Sequence, residues 1–167
     1  HKRLEENESF LESIINKENL LLLILEHITD PHNVGACIRS AAAAGVDAVI
    51  VPKNRSCHLT PTVRKISSGG AELIPFVVVT NIVRTINKLQ SAGVMVYGTD
   101  MEASKFHNEV TYDEKSALII GSEDKGLKRL TLEKCDEIIR INMPGRIESL
   151  NASVSTGIML FKMIDQQ

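Results

Sequence analysis

Three short segments of the 167-residue chain combine glycine with polar or charged residues, a pattern that suits ligand binding. The first segment, residues 29–39, contains Asn33, Gly35 and Arg39. Asn33 is well placed as a helix N-cap, and Gly35 leaves space near the helix start for the backbone of a ligand. Arg39 lies four residues further along the same helix face, where its guanidinium could grip a phosphate. The alternative is a capped helix whose arginine pairs with a surface acid.

The second segment, residues 117–127, runs from an apolar stretch into two glycines, Gly121 and Gly126, that bracket Ser-Glu-Asp-Lys. Glycines that follow a strand let a ligand lie against bare backbone. The Gly-Lys-Ser/Thr ending of a Walker A loop is missing, and the acids Glu123 and Asp124 oppose a simple phosphate cradle. A tight turn without a function is the alternative.

The third segment, residues 141–151, contains a Pro-Gly pair that marks a turn. Either Asn151 or Ser149 can cap the final helix, and the apolar Leu150 lies between them. Such alternation of polar and apolar groups suits a ligand with a flat base and a polar tail.

Apolar runs of four to six residues alternate with helical patterns along most of the chain. The runs are residues 20–25, 48–51, 74–79, 94–97, 117–120 and 137–141. The helical patterns are residues 33–44, 81–92 and 151–164, and the last one places Val154, Ile158 and Phe161 on one apolar stripe. The alternation predicts a three-layer α/β domain with a mostly parallel sheet, whose ligand site lies at the carboxyl ends of the strands.

Residues 1–19 differ in character from the rest of the chain. They are polar at first and then contain a short amphipathic stretch around Phe10 and Leu11. This pattern predicts a linker and docking helix over residues 1–19, followed by a catalytic domain over residues 20–167. Our interpretation is that the chain is one domain of a longer protein.

The composition excludes several other classes of protein. Hydrophobic residues make up 43% of the chain and charged residues 24%, as in soluble globular domains. The longest apolar run has six residues, far below the roughly 20 that span a bilayer, and we expect no signal peptide. Cys37, Cys57 and Cys135 are widely spaced, which disfavours disulfides and predicts a cytoplasmic protein. The scattered histidines predict no metal site.

The net charge of −2 hides two basic segments. Residues 31–71 have a net charge of +4 and residues 125–146 of +3, whereas residues 100–124 have −5. The two basic segments could share a face that contacts nucleic acid, and solvated loops are the alternative.

Taken in order, the three segments resemble the SpoU (TrmH-like) family of RNA 2′-O-methyltransferases, within the SPOUT superfamily. The matching motifs are Asn33-x-Gly35-x-x-x-Arg39, then Gly121-Ser122-Glu123-x-Lys125-Gly126, then Met143-x-Gly145 followed by Ser149-Leu150-Asn151. The resemblance covers about residues 20 to 161. Residues 30–56 and 131–136 most resemble the bacterial branch that methylates a guanosine of 23S ribosomal RNA, in which a small RNA-binding domain precedes the catalytic one.

The chain departs from the family pattern at three positions. Asp124 stands where a small residue is common, Asn142 replaces the proline common before the methionine, and Ala152 replaces a valine. None of these changes removes a side chain proposed to act.

The resemblance implies a deep C-terminal trefoil knot, the SPOUT α/β knot, that binds S-adenosylmethionine. It implies cofactor contacts from Gly121, Ile141, Met143 and Leu150, and a reaction centre formed by Arg39, Asn33, Glu123, Ser149 and Asn151. It also implies a homodimer that shares its RNA substrate across the interface. With the local charges, it predicts RNA contacts from Lys53, Arg55, Arg64 and Lys65. Without a preceding RNA-binding domain, the chain is expected to bind cofactor as a dimer but to methylate RNA poorly.

In the implied reaction a ribose 2′-oxygen attacks the methyl carbon of the sulfonium. Arg39 is sometimes assigned as the base in this family, but a guanidinium pKa above 12 makes the neutral form scarce at pH 7. We therefore expect Arg39 to hold the neighbouring phosphate and to lower the pKa of the 2′-hydroxyl. The proton would pass to that phosphate or to Glu123.

Three other functions remain open. The methylated nucleotide could be a tRNA ribose. A non-catalytic RNA-binding factor on the same fold is a second alternative, which the intact set of Asn33, Arg39 and Glu123 disfavours. A doubly wound nucleotide-binding enzyme is a third, and no G-x-G-x-x-G motif supports it.

Overall fold

All six predicted strands are present in the structure, a computed structural model that describes residues 3–147 and 149–166. Those residues contain seven strands: β1 (Leu20–Glu26), β2 (Ala48–Pro52), β3 (Phe76–Val79), β4 (Met95–Thr99), β5 (Lys105–Phe106), β6 (Lys115–Gly121) and β7 (Glu137–Arg140). They form one sheet in the order β3-β2-β1-β6-β4-β7-β5. Every strand pairing in the described residues is parallel, which confirms the predicted sheet type.

Seven helices lie in the described residues: α1 (Ser9–Ile14), α2 (Pro31–Ala44), α3 (Pro61–Ile66), α4 (Gly70–Leu73), α5 (Ile82–Ser91), α6 (Arg129–Lys134) and α7 (Ala152–Asp165). The three long helices α2, α5 and α7 match the predicted patterns. Helices α3, α4 and α6 and the two-residue strand β5 were not predicted, because four to six residues are too few to show a periodicity.

The sheet separates two apolar cores, and β1 contributes to both. Its odd-numbered residues from 21 to 25 pack with α2, α3, α4 and α7. Its even-numbered residues from 20 to 24 pack with α1 and α5 on the other face. This alternation follows from the two-residue period of a strand. The three-layer α/β architecture is therefore confirmed, while the trefoil knot stays a prediction.

The start of α2 corrects one predicted cap. The carboxylate of Asp30 accepts a hydrogen bond from the backbone N–H of His32 at 3.0 Å, and Pro31 occupies the first helical position. Proline is favoured there because its φ is already helical and no N–H is needed. Asn33 thus lies inside the first turn, and the prediction that it caps the helix is wrong.

Gly35 also has a different role from the predicted one. A Cβ atom at this position would lie 2.6 Å from the Cβ of Ile66, in the short helix α3. The missing side chain therefore lets α2 and α3 pack closely, and does not leave space for a ligand backbone.

The described part of the predicted linker, from residue 3 onwards, lies against the body of the protein. The N–H of Glu6 donates to the carbonyl of Phe76 at 2.8 Å, and Val78 donates back to Glu6 at 2.9 Å. Leu11 of α1 is buried in the second core. None of the helices in the described residues combines the length and the apolarity that a membrane span needs.

Candidate active site

A cavity lies at the carboxyl ends of three neighbouring strands, β6, β4 and β7. The parallel register pairs Gly98 with both Ile119 and Ile138, so these three strands end together. The cavity wall is formed by residues at the end of β4 (99–101), at the end of β6 (120–126), at the end of β7 (140, 141 and 143), and before and within α7 (149, 150, 152, 155 and 159). The second and third predicted segments thus meet in one site.

Most of the predicted cofactor and catalytic residues line this cavity. Gly121, Ile141, Met143 and Leu150, the four predicted cofactor contacts, are all in its wall. Glu123 and Ser149 also line it. By contrast, Asn33, Arg39 and Asn151 lie outside the wall. The cavity wall therefore contains all the predicted cofactor residues but only part of the predicted reaction centre.

The loop after β6 is closed on itself by two glycines. The N–H of Gly126 donates to the carbonyl of Ser122 at 2.7 Å, and Gly126 has a φ of +65°, which favours glycine. A Cβ atom at Gly121 would lie only 2.4 Å from the carbonyl carbon of Gly126. Both glycines are thus required by the tight closure of the loop that forms one side of the cavity.

Glu123 joins this loop to the start of α7. Its carboxylate accepts a hydrogen bond from the N–H of Ala152 at 3.1 Å. The amide of Asn151 caps the same helix by accepting from the N–H of Val154 at 2.9 Å, as the sequence predicted. Free N–H groups at a helix start attract a negative charge, so the acid at position 123 is held beside the third segment.

Helix α2 places the first segment against α7. The Sγ of Cys37 lies 3.5 Å from the Oγ1 of Thr156. Both helices follow parallel strands and run in the same direction, so Asn33, one turn before Cys37, lies towards the start of α7. Arg39 is exposed on α2. Among residues 3–147 and 149–166 it makes no hydrogen bond and no ion pair, so the surface acid of the alternative interpretation is not observed there.

The predicted RNA-binding residues fall into two groups. Lys53, Arg55 and Lys65 are exposed on the surface. Arg64 is half-buried and donates to Glu72 at 2.7 Å and to the carbonyl of Arg3 at 2.5 Å. The guanidinium of Arg64 is therefore occupied by groups of the protein itself, which removes the reason to count it among free RNA-binding cations.

Several cations lie near His27, the residue that follows β1. Burial lowers the pKa of His27, and the nearby cations of Lys128, Arg55 and Lys125 lower it further against the opposing effect of Glu26. Cations from both basic segments therefore act on the same histidine, while the shared nucleic-acid face stays a prediction.

The sequence did not point to Thr99, Asp100, Met101 and Arg140, which also line the cavity. Asp100 was noted only as part of an acidic stretch. The strand order places β4 between β6 and β7, and no local pattern in a single sequence states that order.

Comparisons with known proteins agree with this geometry. A family model described as the SpoU rRNA Methylase family matches residues 20–161. The chain is 48% identical over 162 residues to the 23S rRNA (guanosine-2'-O-)-methyltransferase RlmB of Pseudomonas aeruginosa. That match covers 96% of this chain and 65% of the relative, so the chain spans slightly less than two thirds of that protein.

Two solved structures with bound AdoMet are similar over almost the whole chain. The SpoU methyltransferase AviRb from Streptomyces viridochromogenes has a TM-score of 0.85 at 26% identity, covering 93% of this chain and 64% of that one. The rRNA methyltransferase from Sinorhizobium meliloti has a TM-score of 0.83 at 28% identity, covering 98% and 61%. The family match, the identity to relatives and these shared folds show that the chain belongs to the SpoU rRNA Methylase family.

Proposed function

We propose that the chain is the catalytic part of an S-adenosylmethionine-dependent enzyme that methylates the ribose 2′-hydroxyl of a guanosine in 23S ribosomal RNA. The convergence of the second and third motifs on one cavity, with Glu123 bonded across to α7, is the main support. The relatives named as 23S rRNA guanosine-2'-O-methyltransferases support the substrate.

The cavity residues fit the chemistry of this cofactor. Apolar side chains such as Ile120, Ile141 and Leu150 suit a flat adenine ring. The acids Asp100 and Asp124 suit the positive charges of the sulfonium and the amino group. When bound, S-adenosylmethionine supplies an electrophilic methyl group.

Outside the cavity, Arg39 is the cation best placed to orient the RNA. Its exposed guanidinium has no partner among the described residues and can hold a phosphate next to the target ribose. Glu123 has one carboxylate oxygen on the N–H of Ala152, and we propose that it accepts the proton of the 2′-hydroxyl. Asn33, Ser149 and Asn151 would position the ribose near this pair.

We place the RNA surface on the basic cluster around His27. It includes Arg55, Lys125 and Lys128, with Lys53 and Lys65 as further exposed cations. Each cation that neutralises a phosphate adds a salt-dependent contribution to binding.

We also propose that the enzyme is a homodimer that works in the cytoplasm. The stripe of Val154, Ile158 and Phe161 on α7 is 45%, 36% and 46% exposed, and Ile164 extends it. A contiguous apolar face of this kind is typical of an interface, and a second copy of the chain is the occupant that matches the expected shared substrate. A ribosomal RNA substrate supports the cytoplasmic location.

The experiment that tests the proposal measures cofactor binding and methyl transfer separately. Isothermal titration calorimetry should show that the chain binds S-adenosylmethionine. With labelled cofactor and high enzyme concentration, a 23S rRNA transcript should become methylated at one guanosine 2′-hydroxyl. A lack of cofactor binding would favour an RNA-binding factor, and methylation of tRNA alone would favour the tRNA alternative.

Two glycine variants provide a matched control for the site. Gly121→Ala should weaken cofactor binding by about tenfold or more, because its Cβ would force the loop to move. Gly157→Ala, on α7 and outside the motifs and the cavity wall, should bind normally, since a Cβ there would meet only the Oγ of Ser40, at 3.5 Å. Equal affinities of the two variants would contradict the placement of the cofactor beside the loop.

A further inference from the structure

His107 is a buried histidine that follows β5 and continues the pairing of β5 with β7. Its N–H donates to the carbonyl of Arg140 at 2.7 Å. In a parallel ladder, the next bond would run from the N–H of Asn142 to the carbonyl of His107. The structure has a different arrangement at this point.

The imidazole ring takes the place of the backbone carbonyl. The N–H of Asn142 donates to the Nδ1 of His107 at 3.2 Å. The carbonyl of His107 instead accepts a hydrogen bond from the hydroxyl of the buried Tyr112 at 2.5 Å. The tyrosine thus holds the histidine backbone, and the ring holds the chain beyond β7.

The ring must be neutral to accept this bond, because a protonated Nδ1 has no lone pair to offer. Burial lowers the pKa of His107, and the ammonium of Lys162 on α7 lowers it further. An interaction of the ring with the backbone of Arg140 acts in the opposite direction and raises that pKa. Both the acceptor role of Nδ1 and the lowered pKa of the ring thus favour its neutral form.

In the part of the chain that the structure describes, the segment beyond β7 is poor in hydrogen bonds. Residues 142–147 belong to no helix or strand. Among the described residues, the bond from Asn142 to His107 is the only hydrogen bond that this segment makes. Ile141 and Met143, on either side of Asn142, both line the cavity. The ring thus holds the backbone at the residue between these two wall residues, while Ile141 also packs against the first core.

We propose that His107 is a positioning residue for the cofactor site: its ring holds the backbone of Asn142 and so keeps Ile141 and Met143 in the cavity wall. The inference rests on the proposed function, because it takes the cavity as the site of S-adenosylmethionine. His107 itself lies outside the wall and touches no reacting atom.

Three substitutions of His107 test whether the acceptor position matters. His107→Asn places an amide oxygen near the position of Nδ1, His107→Gln places it near Nε2, and His107→Leu offers no acceptor. By calorimetry with S-adenosylmethionine, we expect the asparagine variant to bind within about threefold of the parent chain, and the other two to bind about tenfold or more weakly. Methyl transfer should show a raised KM for the cofactor and a smaller change in kcat.

A second pair of variants leaves the buried ring intact. The family commonly has proline at this position, and a proline there has no N–H to donate. In this chain, Asn142→Pro therefore tests whether the segment is held through the donating N–H, whereas Asn142→Ala keeps that N–H and shortens only an exposed side chain. The proline variant should lose about as much affinity as His107→Leu, and the alanine variant should lose none. Adding His107→Leu to the proline variant should weaken binding no further, because the shared bond is already lost. These variants also test the proposal if His107→Leu does not fold.

The outcomes separate the two proposals. If the parent chain did not bind S-adenosylmethionine, the proposed function and this inference would both be wrong. If the parent chain bound it and His107→Leu and Asn142→Pro bound equally well, the positioning role alone would be wrong. Equal losses in His107→Asn and His107→Leu would also overturn it, because they would show a packing effect instead of an acceptor effect.

Discussion

Arg39 is exposed and free of protein partners in the part of the chain that the structure describes, and it lies outside the wall of the cavity. We therefore propose that this guanidinium binds a substrate phosphate and not the cofactor. The two steps of the reaction, binding of the cofactor and transfer of the methyl group, should therefore respond differently when this residue is changed.

We predict that Arg39→Ala slows methyl transfer by about 10²- to 10³-fold, the usual effect of removing one group that stabilises developing charge. The dissociation constant for S-adenosylmethionine should not change. Arg84→Ala, which removes another exposed arginine from a helix on the opposite face of the sheet, is the control and should remain active.

The pH–rate profile distinguishes the cation role of Arg39 from a base role. In Arg39→Lys the charge is kept, so the profile should keep its shape while the rate falls through loss of the bidentate contact. An alkaline limb that moves towards the lysine pKa would show that the residue acts as a base.

At the residue scale, the motifs predicted the cavity residues and missed the packing roles. Gly121, Glu123 and Leu150 were found because their types and order match a family pattern. The cap at Asp30 was missed because the asparagine at position 33 is an equally good cap by type. The pairing of Arg64 with Glu72 depends on how α3 and α4 fold together, which no local pattern shows.

At the element scale, a buried acid at the end of β1 supports a helix far away in sequence. Glu26 accepts hydrogen bonds from the N–H of Lys128 at 2.8 Å and from the hydroxyl of Thr131 at 2.5 Å. Lys128 stands at the N-cap of α6 and its side chain makes no capping bond. Glu26 therefore caps α6 from outside, next to the loop that closes the cavity.

We predict that Glu26→Ala lowers the free energy of unfolding by about 2 to 3 kcal/mol, because it leaves a helix N–H and a buried hydroxyl without their acceptor. Glu26→Gln keeps one acceptor oxygen and should cost less. Urea denaturation measures both changes. Glu133→Ala, which removes an exposed partner of Arg129, should have little effect, and a similar loss there would contradict the capping role.

The elements themselves were largely predictable. A strand buried on both faces must be apolar throughout, so the six runs stood out from the polar sequence around them. Strand β5 has only two residues, and its partner β7 is more than thirty residues away, so it left no signal. For the same reason, the sequence did not indicate that His107, the residue after β5, supports the cavity wall.

At the scale of the whole molecule, the outward face of α7 is unusual because it is apolar. A helix that packs only on a core has a polar outward face. The inward face contains Met159, Leu160 and Met163, which are fully buried. The outward stripe is also apolar, so α7 is hydrophobic on two sides. A helix of this kind needs a second partner to remove that surface from water.

We predict that Phe161→Glu converts the proposed dimer into a monomer, because it places a charge in the centre of the stripe. Light scattering coupled to size-exclusion chromatography measures the mass directly. Leu73→Glu is the matched control, since Leu73 is 72% exposed on α4, away from the stripe, and should remain dimeric. A parent chain that is monomeric at micromolar concentration would contradict the proposed assembly.

The sequence predicted the three-layer type of the architecture but not the order of the strands in the sheet. Alternating strands and helices predict layers, and the family resemblance adds the knot, which stays a prediction. The position of β4 between β6 and β7 results from long-range pairing that depends on the whole chain. The cavity wall consists of the segments that follow these three strands. The sequence therefore could not predict the part of the wall that β4 contributes.

The segment around Glu6, which pairs with strand β3, affects the solubility of the protein. An unpaired edge strand offers its N–H and carbonyl groups to any other extended chain, which is a common start of aggregation. Glu6 occupies those groups on β3 at one edge of the sheet, and β5 at the other edge is only two residues long. Neither edge is a good template for a foreign strand. Copies of this chain should therefore meet through helices rather than polymerise through the sheet, even when the protein is concentrated.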